Sequence, residues 1–492
     1  MNKVFFTTLY LSSLAFTFQK ASSQSIVFNR TYSCPEYNYG RSAVETPDGG
    51  FLAVGASSNP SAGNTDVYLL HTDSAGNVLW EKRYGGTGID FGTSLEMTSD
   101  SGFIVAGYTS SYGAGTYDLY LLRLNQSGDT LWTKTFGGTD WDFAWSVQQT
   151  ADKGFVVVGE TNSSGAGNID VFLVKTDSTG QTQWTKTYGG TDEDAGHFVR
   201  ECITGGYIIT GYTKSFGNGN DDVYLIRTND NGDTLWTKTF GTDSSDQGYC
   251  VQSLADSTFI IAGYAGHGVN GSEDGYIIKT DSLGNSLWTR LYDIDSLNDR
   301  LNYVIPTYDN GYMFTGKMQS NLYGLGGSDL YILKTDLGGF YAGSKVFGYK
   351  NNDEGFSVRA TKDHGYIVCG IFSSILSDLY LIKTDSTMIS STLVMAVREN
   401  DRIKFPSITI YPNPISNMTS LKVHIPGLAE GNHIMASLVD LEGKIIWQSE
   451  EVFGYNQTCS LQPLENKPAP GFYFLNFYSG GKFLGSAKVS VM

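Results

Sequence analysis

Six carboxylates and one amide recur at one place in a repeated text: Asn38, Asp90, Asp142, Asp194, Asp246, Asp299 and Asp353. Oxygen donors of this kind, gathered round one end of a channel, can hold a hard cation such as calcium. The competing reading is local. An aspartate that follows a Gly-Gly pair caps a tight turn by accepting hydrogen bonds from nearby backbone N–H groups. A catalytic residue need appear only once, whereas a turn residue must appear in every copy, so repetition favours the cap. The same reasoning covers Asp66, Asp118, Asp170, Asp222, Asp274, Asp329 and Asp378. The neighbouring pairs Asp140/Asp142 and Asp192/Asp194 do not continue into a calcium loop with its glycine and distal glutamate. No cofactor is expected beyond that weak case for calcium.

A different chemistry lies where the copies disagree. Three residues after the aspartate position stand Arg41, Thr93, Trp145, His197, Tyr249, Asn302 and Phe356. Two residues later the side chains return to Ala, Val or Leu, which reads as core. Trp145, Tyr249 and Phe356 are candidates to stack on a sugar or clamp a peptide, with Arg41 and His197 to orient it. The structural alternative is that these side chains fill gaps of differing size between units. Glu160 also breaks its column, where the other copies carry Ala56, Tyr108, Tyr212, Tyr264, Lys317 and Ile371. It is either a lone functional acid or a solvated strand end. The chain has no G-x-S-x-G elbow and no H-E-x-x-H, and its six histidines lack metal spacing. No catalytic residue and no metal ligand is therefore assigned. A glycan-, peptide- or surface-binding module is expected. The alternatives are a polysaccharide hydrolase or lyase using an axial pocket, or a purely structural surface protein.

The elements that must position these residues follow from the repeat. A glycine closes one apolar strand in each unit at Gly55, Gly107, Gly159, Gly211, Gly263, Gly316 and Gly370, and the first five stand 52 residues apart. Trp80, Trp132, Trp184, Trp236 and Trp288 keep the same step. Period-two alternation bounded by Gly, Asp, Asn and Ser predicts four short strands per unit. In the second unit these are Phe91–Thr98, Phe103–Thr109, Asp118–Leu124 and Thr130–Phe136. Seven such units predict an all-β, seven-bladed propeller over residues 24–385. Ile26 to Tyr32 aligns with the fourth strand of the units, and the seventh unit lacks its fourth strand after Asp385. The N-terminal strand is thus predicted to complete the last blade and close the ring.

The totals bound the rest. Glycine (59), Tyr (31) and Phe (27) are abundant, charged residues make up only 17%, and the formal net charge of -17 argues against nucleic acid or an anionic membrane as partner. The five cysteines form no CxxC pair and read as buried free thiols, with a Cys202–Cys250 bridge left open. Residues 1–23 have the make-up of a secretory signal peptide: Lys3, an apolar run from Val4 to Phe18, then small residues before Gln24. No later stretch is long enough for a transmembrane helix. Residues 386–407 keep no repeat register and read as a linker with one short strand. From Ile408 a separate segment begins, with strands predicted at Leu421–Ile425, Ile434–Asp440, Lys444–Ser449, Gly471–Tyr478 and Lys482–Val491, which suit a small β-sandwich.

Two resemblances are specific. The text from Tyr84 to Ser111, with Gly85, Gly86, Asp90, Gly107 and the following Asp118 strand, resembles the SBBP-type repeat of seven-bladed propellers. It covers roughly residues 26–385 and implies a fold rather than an activity. Residues 408–492 are similar to the type A sorting domain of the type IX secretion system of Bacteroidetes, on Tyr411-Pro412-Asn413-Pro414, Gly471-Phe472-Tyr473 and Lys488. That resemblance implies the secretion machinery as partner, passage through the periplasm, delivery to the cell surface or medium, and removal of the C-terminal domain. The mature protein is expected to be a monomer. Asp73–Trp80 also resembles the tryptophan-docking motif of quinoprotein propellers but is one residue shorter, and no quinone cofactor is carried over.

Overall fold

All the elements found are β-strands, as the short apolar runs and their Gly/Asp/Asn/Ser punctuation require. The computed structural model describes residues 27–33, 37–59, 64–267, 272–293, 297–319, 327–348, 351–373, 377–388, 394–396 and the strand segments 409–411, 421–424, 433–439, 445–452, 458–461, 471–479 and 482–491. The predicted signal peptide, Cys34 and Pro412–Pro414 lie outside them.

Seven antiparallel four-stranded units follow one another along the chain and close a seven-bladed β-propeller. The third blade is typical, with strands Asp142–Gln149, Phe155–Thr161, Asp170–Thr176 and Thr182–Tyr188. Its second and third strands are buried almost residue by residue, because neighbouring blades cover both faces. The outer strand is exposed or half-buried up to its last residue, Tyr188, which is buried. In the second blade three strands coincide with their predicted limits, and the first runs Asp90–Met97, one residue earlier than predicted.

The ring closes as predicted. Phe28–Tyr32 pairs antiparallel with Ser377–Thr384, from Phe28↔Lys383 to Tyr32↔Leu379. The closure copies the contacts of the other blades. The Trp80 indole packs on Gly128 of the next blade's turn, Trp132 on Gly180 and Trp184 on Gly232; Phe28 packs in the same way on Gly76. Each of these turn glycines has positive φ, between 76° and 79°, where a side chain would be strained and would also strike the ring. Tyr32 Oη donates to the Gly76 carbonyl at 2.7 Å, as Tyr188 Oη does to Gly232 at 2.6 Å. Truncating either buried ring, Phe28 or Tyr32, is expected to cost about 3–5 kcal/mol. The tryptophan that resembled a docking motif is therefore an inter-blade contact. Val394–Ala396, within the predicted linker, adds a fifth strand parallel to Phe28–Tyr32.

The C-terminal strands form two sheets. One holds Thr409–Tyr411, Leu421–His424 and Thr458–Leu461; the other holds Ile445–Val452, His433–Val439, Gly471–Ser479 and Lys482–Val491. A shared core of Val423, Leu461, Ile434, Leu438, Tyr473, Leu475, Phe477 and Val489 makes them a small sandwich. The strands Thr409–Tyr411 and Thr458–Leu461 were not predicted; each spans only three or four residues, too few for a periodic signal. Gly471 and Tyr473 lie on one strand, and Lys488 is paired with Phe474 across from it. Cys202, Cys250 and Cys369 are free and buried, so the Cys202–Cys250 bridge left open by the sequence does not form.

Candidate functional site

Each inner strand carries one bulge. Its pairing with the second strand slips between Gly40 and Ser42, Gly92 and Ser94, Ala144 and Ser146, Gly196 and Phe198, Gly248 and Cys250, Leu301 and Tyr303, and Gly355 and Ser357. The residues left over are Arg41, Thr93, Trp145, His197, Tyr249, Asn302 and Phe356, the column in which the copies differ. A bulge re-aims one side chain while the strand on either side keeps its register. The repeated glycine of the second strand makes room for it. A Cβ on Gly55 would lie 1.6 Å from the Tyr39 carbonyl oxygen, and one on Gly159 would lie 1.7 Å from that of Phe143. The glycine that marks the repeat is thus required by the bulge that presents the variable side chain.

All seven bulge residues line one axial cavity of about 510 Å³. Apart from the buried Thr93 they keep partial exposure although they lie at the centre of the ring, as the walls of an open cavity do. His197 stacks on Tyr249 with ring centres 5.1 Å apart and meets Trp145 edge-on at 6.5 Å. Its Nδ1 lies 3.0 Å from the Gly248 carbonyl oxygen, so neutral His197 carries its proton there and leaves Nε2 as an acceptor. Burial pushes the imidazole pKa down to about 4, against the opposing effect of that hydrogen bond, so His197 is uncharged at neutral pH. Arg41 lies 4.1 Å over the Phe356 ring and 5.6 Å from that of Phe91. Burial lowers its pKa, while Glu354 works in the other direction.

Three residues further along the inner strands the channel is crossed by an ion cluster. Glu96 of the second blade meets Arg359 of the seventh at 2.8 Å and Arg200 of the fourth at 3.1 Å. Arg200 also donates to Tyr303 Oη at 3.2 Å and lies 4.2 Å over the Phe198 ring. Because the three partners come from blades spread round the ring, they close the cavity below. Glu96 is held well below the ordinary glutamate range by the two guanidinium groups, which outweigh its burial.

Glu160 does not line the cavity. It sits half-buried, with the Trp145 indole N–H directed at it. Burial pushes the Glu160 carboxyl up to about 7; Glu193 adds to the rise and the Trp145 indole opposes it. The aspartate column does not line the cavity. Asp142 accepts from the Gly138 N–H at 2.9 Å and from Ser163 Oγ at 2.8 Å, and Asp90, Asp194 and Asp246 accept from the N–H groups of Gly86, Gly190 and Thr242. These are the turn caps that repetition favoured. Among the described residues no group of three or more His, Cys, Asp or Glu is placed to hold a metal.

Sequence reasoning missed Tyr39, Arg300 and Glu354, which also line the cavity, and the Glu96–Arg200–Arg359 cluster. The signal was present. Columns one and six residues after the aspartate position also vary between copies, and reading the inner strand as a set of columns would have found them.

The fold and the cavity define a seven-bladed β-propeller with a blind axial pocket. The chain matches no protein-family model, so the SBBP-type and sorting-domain resemblances rest on the residues quoted for them. It is 26% identical over 348 residues to the regulatory protein FlaEY of Caulobacter vibrioides, a match covering 63% of this chain and 35% of that protein. The match thus spans about a third of that curated relative's length. Among solved structures the chain is similar to PorZ, an essential bacterial surface component of the type-IX secretion system of Porphyromonas gingivalis, at 13% identity and a TM-score of 0.40, over 90% of this chain and 58% of PorZ. It is also similar to the β-propeller domain of the Trilobed protease from Pyrococcus furiosus, at 10% identity and a TM-score of 0.42, over 77% of this chain and 98% of that one. Among the described residues no helix is long and apolar enough to cross a membrane.

Proposed function

We propose that the protein is a binding module that takes a ligand end-on into the axial cavity. One observation carries this reading: the column in which the seven copies diverge is the column that bulges deliver to a single cavity. These residues do touch their neighbours in adjacent blades, but side chains that only filled such gaps would have no reason to face one shared space as well. The test is a glycan and peptide array on the full chain beside its Trp145→Ala and Tyr249→Ala variants. Loss of signal in both variants, with melting temperatures lowered by no more than a few degrees, is expected; signal retained in both would remove the cavity from the reading.

Residues 1–23 as a signal peptide and 408–492 as a type IX sorting domain would deliver this module to the cell surface or medium through the periplasm. Support for the second comes from Tyr411-Pro412-Asn413-Pro414, Gly471-Phe472-Tyr473 and Lys488. Deleting residues 408–492 is expected to leave a folded propeller in the periplasm, and finding that truncated protein on the cell surface would remove the assignment. The enzyme alternative would have to use Glu160, a half-buried carboxyl that burial raises to about 7, from outside the axial cavity. Polysaccharide cleavage abolished by Glu160→Gln would establish it.

A further inference from the structure

We propose that the axial cavity is built for an acidic sugar unit whose carboxylate sits on Arg41; this rests on the cavity being the binding site. Four arginines stand in the cavity or under it, and three are committed. Arg200 and Arg359 share Glu96, and Arg300 grips Glu273 through two parallel bonds. Arg41 differs. Among the described residues it makes no ion pair and no hydrogen bond, and its Nε is buried without an acceptor. The carboxylate that acts on it, Glu354, is itself held by Asn302 Nδ2 at 2.8 Å. A guanidinium partly withdrawn from water, with its Nε buried and given no acceptor, carries a cost to the fold. The Phe356 and Phe91 rings nonetheless hold it in place. Its planar fork matches a carboxylate through two parallel bonds, a fit that a neutral hydroxyl cannot reproduce.

The remaining wall favours a sugar over other acids. Trp145 and Tyr249 offer flat rings for the apolar face of a pyranose, and His197 offers an unprotonated Nε2 to a hydroxyl. Peptides are commonly taken along a sheet edge or a groove, whereas this site is a pit with an ionic floor. The floor also means that the unit recognised is the end of a chain or a free monosaccharide, since nothing can thread through. A volume of about 510 Å³ lies within the range of small-ligand sites.

The experiment is calorimetric titration of the full chain with D-glucuronate and a glucuronate-terminated disaccharide, against D-glucose, the matching neutral disaccharide and a tripeptide with a free C-terminal carboxylate. The acidic sugars are expected to bind at least about tenfold tighter than their neutral twins, the effect of one charge-assisted bidentate pair. Arg41→Gln should erase that difference and Arg41→Lys should keep part of it. Phe356→Leu, which leaves the charge but removes the ring that fixes its plane, should weaken acidic-sugar binding several-fold, and melting curves of each variant report whether the fold is kept. Equal binding of acidic and neutral sugars would overturn the acid preference while leaving the cavity a sugar site. A tripeptide bound more tightly than either sugar would overturn the sugar class. Binding of none of them would overturn the cavity reading together with this one.

Discussion

Two columns stand three residues apart on the same inner strands and answer to different constraints. In the aspartate column the copies agree, and each side chain does the same local work: Asp142 closes the turn at Gly138 and Asp194 closes the turn at Gly190. In the bulge column the copies differ, and Arg41, Trp145, His197 and Tyr249 converge on one space. A residue repeated in every blade is tied to a need that every blade has. A residue free to differ within a fixed frame is answerable to something outside the blade. The contrast teaches that in a repeat protein the most eye-catching motif is the least informative about recognition.

The contrast can be broken or sharpened by substitution. Gly159→Val places a side chain against the Phe143 carbonyl and removes the bulge geometry. It is expected to destabilise the protein by more than about 4 kcal/mol, read as a collapse of the soluble folded yield or of the melting temperature. Asp142→Ala leaves the Gly138 N–H and the Ser163 hydroxyl without their acceptor. About 2–3 kcal/mol of stability should be lost, with ligand binding at the axis unaffected in the protein that remains folded. Trp145→Ala should behave in the opposite sense, abolishing binding while shifting stability by about 1 kcal/mol or less, because the ring borders a cavity rather than filled core. A large stability loss from Trp145→Ala, equal to that of Asp142→Ala, would erase the distinction between the columns.

The smallest effect concerns pH. Glu160 has a folded-state pKa raised to about 7, above the ordinary glutamate value of about 4.3. Between those two values the folded protein holds a proton that the unfolded chain has lost, so stability falls as pH rises through this window. Glu160→Gln should remove that slope and raise stability at pH 8 by about 1 kcal/mol after allowance for its partial exposure. Thermal melts of both proteins at pH 5 and pH 8 give the comparison, and an unchanged slope would show that Glu160 ionises freely.

Much of the fold was legible because the repeat turns local signals into a count. Strand limits, blade number and the N-terminal closure all follow from aligning copies, and Phe28 and Tyr32 were visible as counterparts of Trp80 and Tyr84. The bulge was not legible, since one unpaired residue leaves no mark on an alternating pattern except the glycine opposite. The variable column itself was legible, both as a column and as candidate lining of an axial pocket, whereas the bulge that delivers it there was not. The Glu96–Arg200–Arg359 cluster joins residues from three blades, and no local pattern reports which blades face each other across an axis. In the C-terminal sandwich, where there is no second copy to align, the two shortest strands escaped notice.

The pairing of Phe28–Tyr32 with Ser377–Thr384 has a temporal side. The first strand of the ring finds its partner only when the last blade exists, so the most N-terminal part of the propeller is the last to be satisfied. Joining segments so far apart in sequence carries a loop-closure cost, and such non-local pairing makes folding slow. Until it happens, the blade at one end of the chain and the turn around Gly76 at the other both stay incomplete. The ring thus has a built-in test of completeness: a chain cut short before Thr384 can form several blades, but it cannot lock.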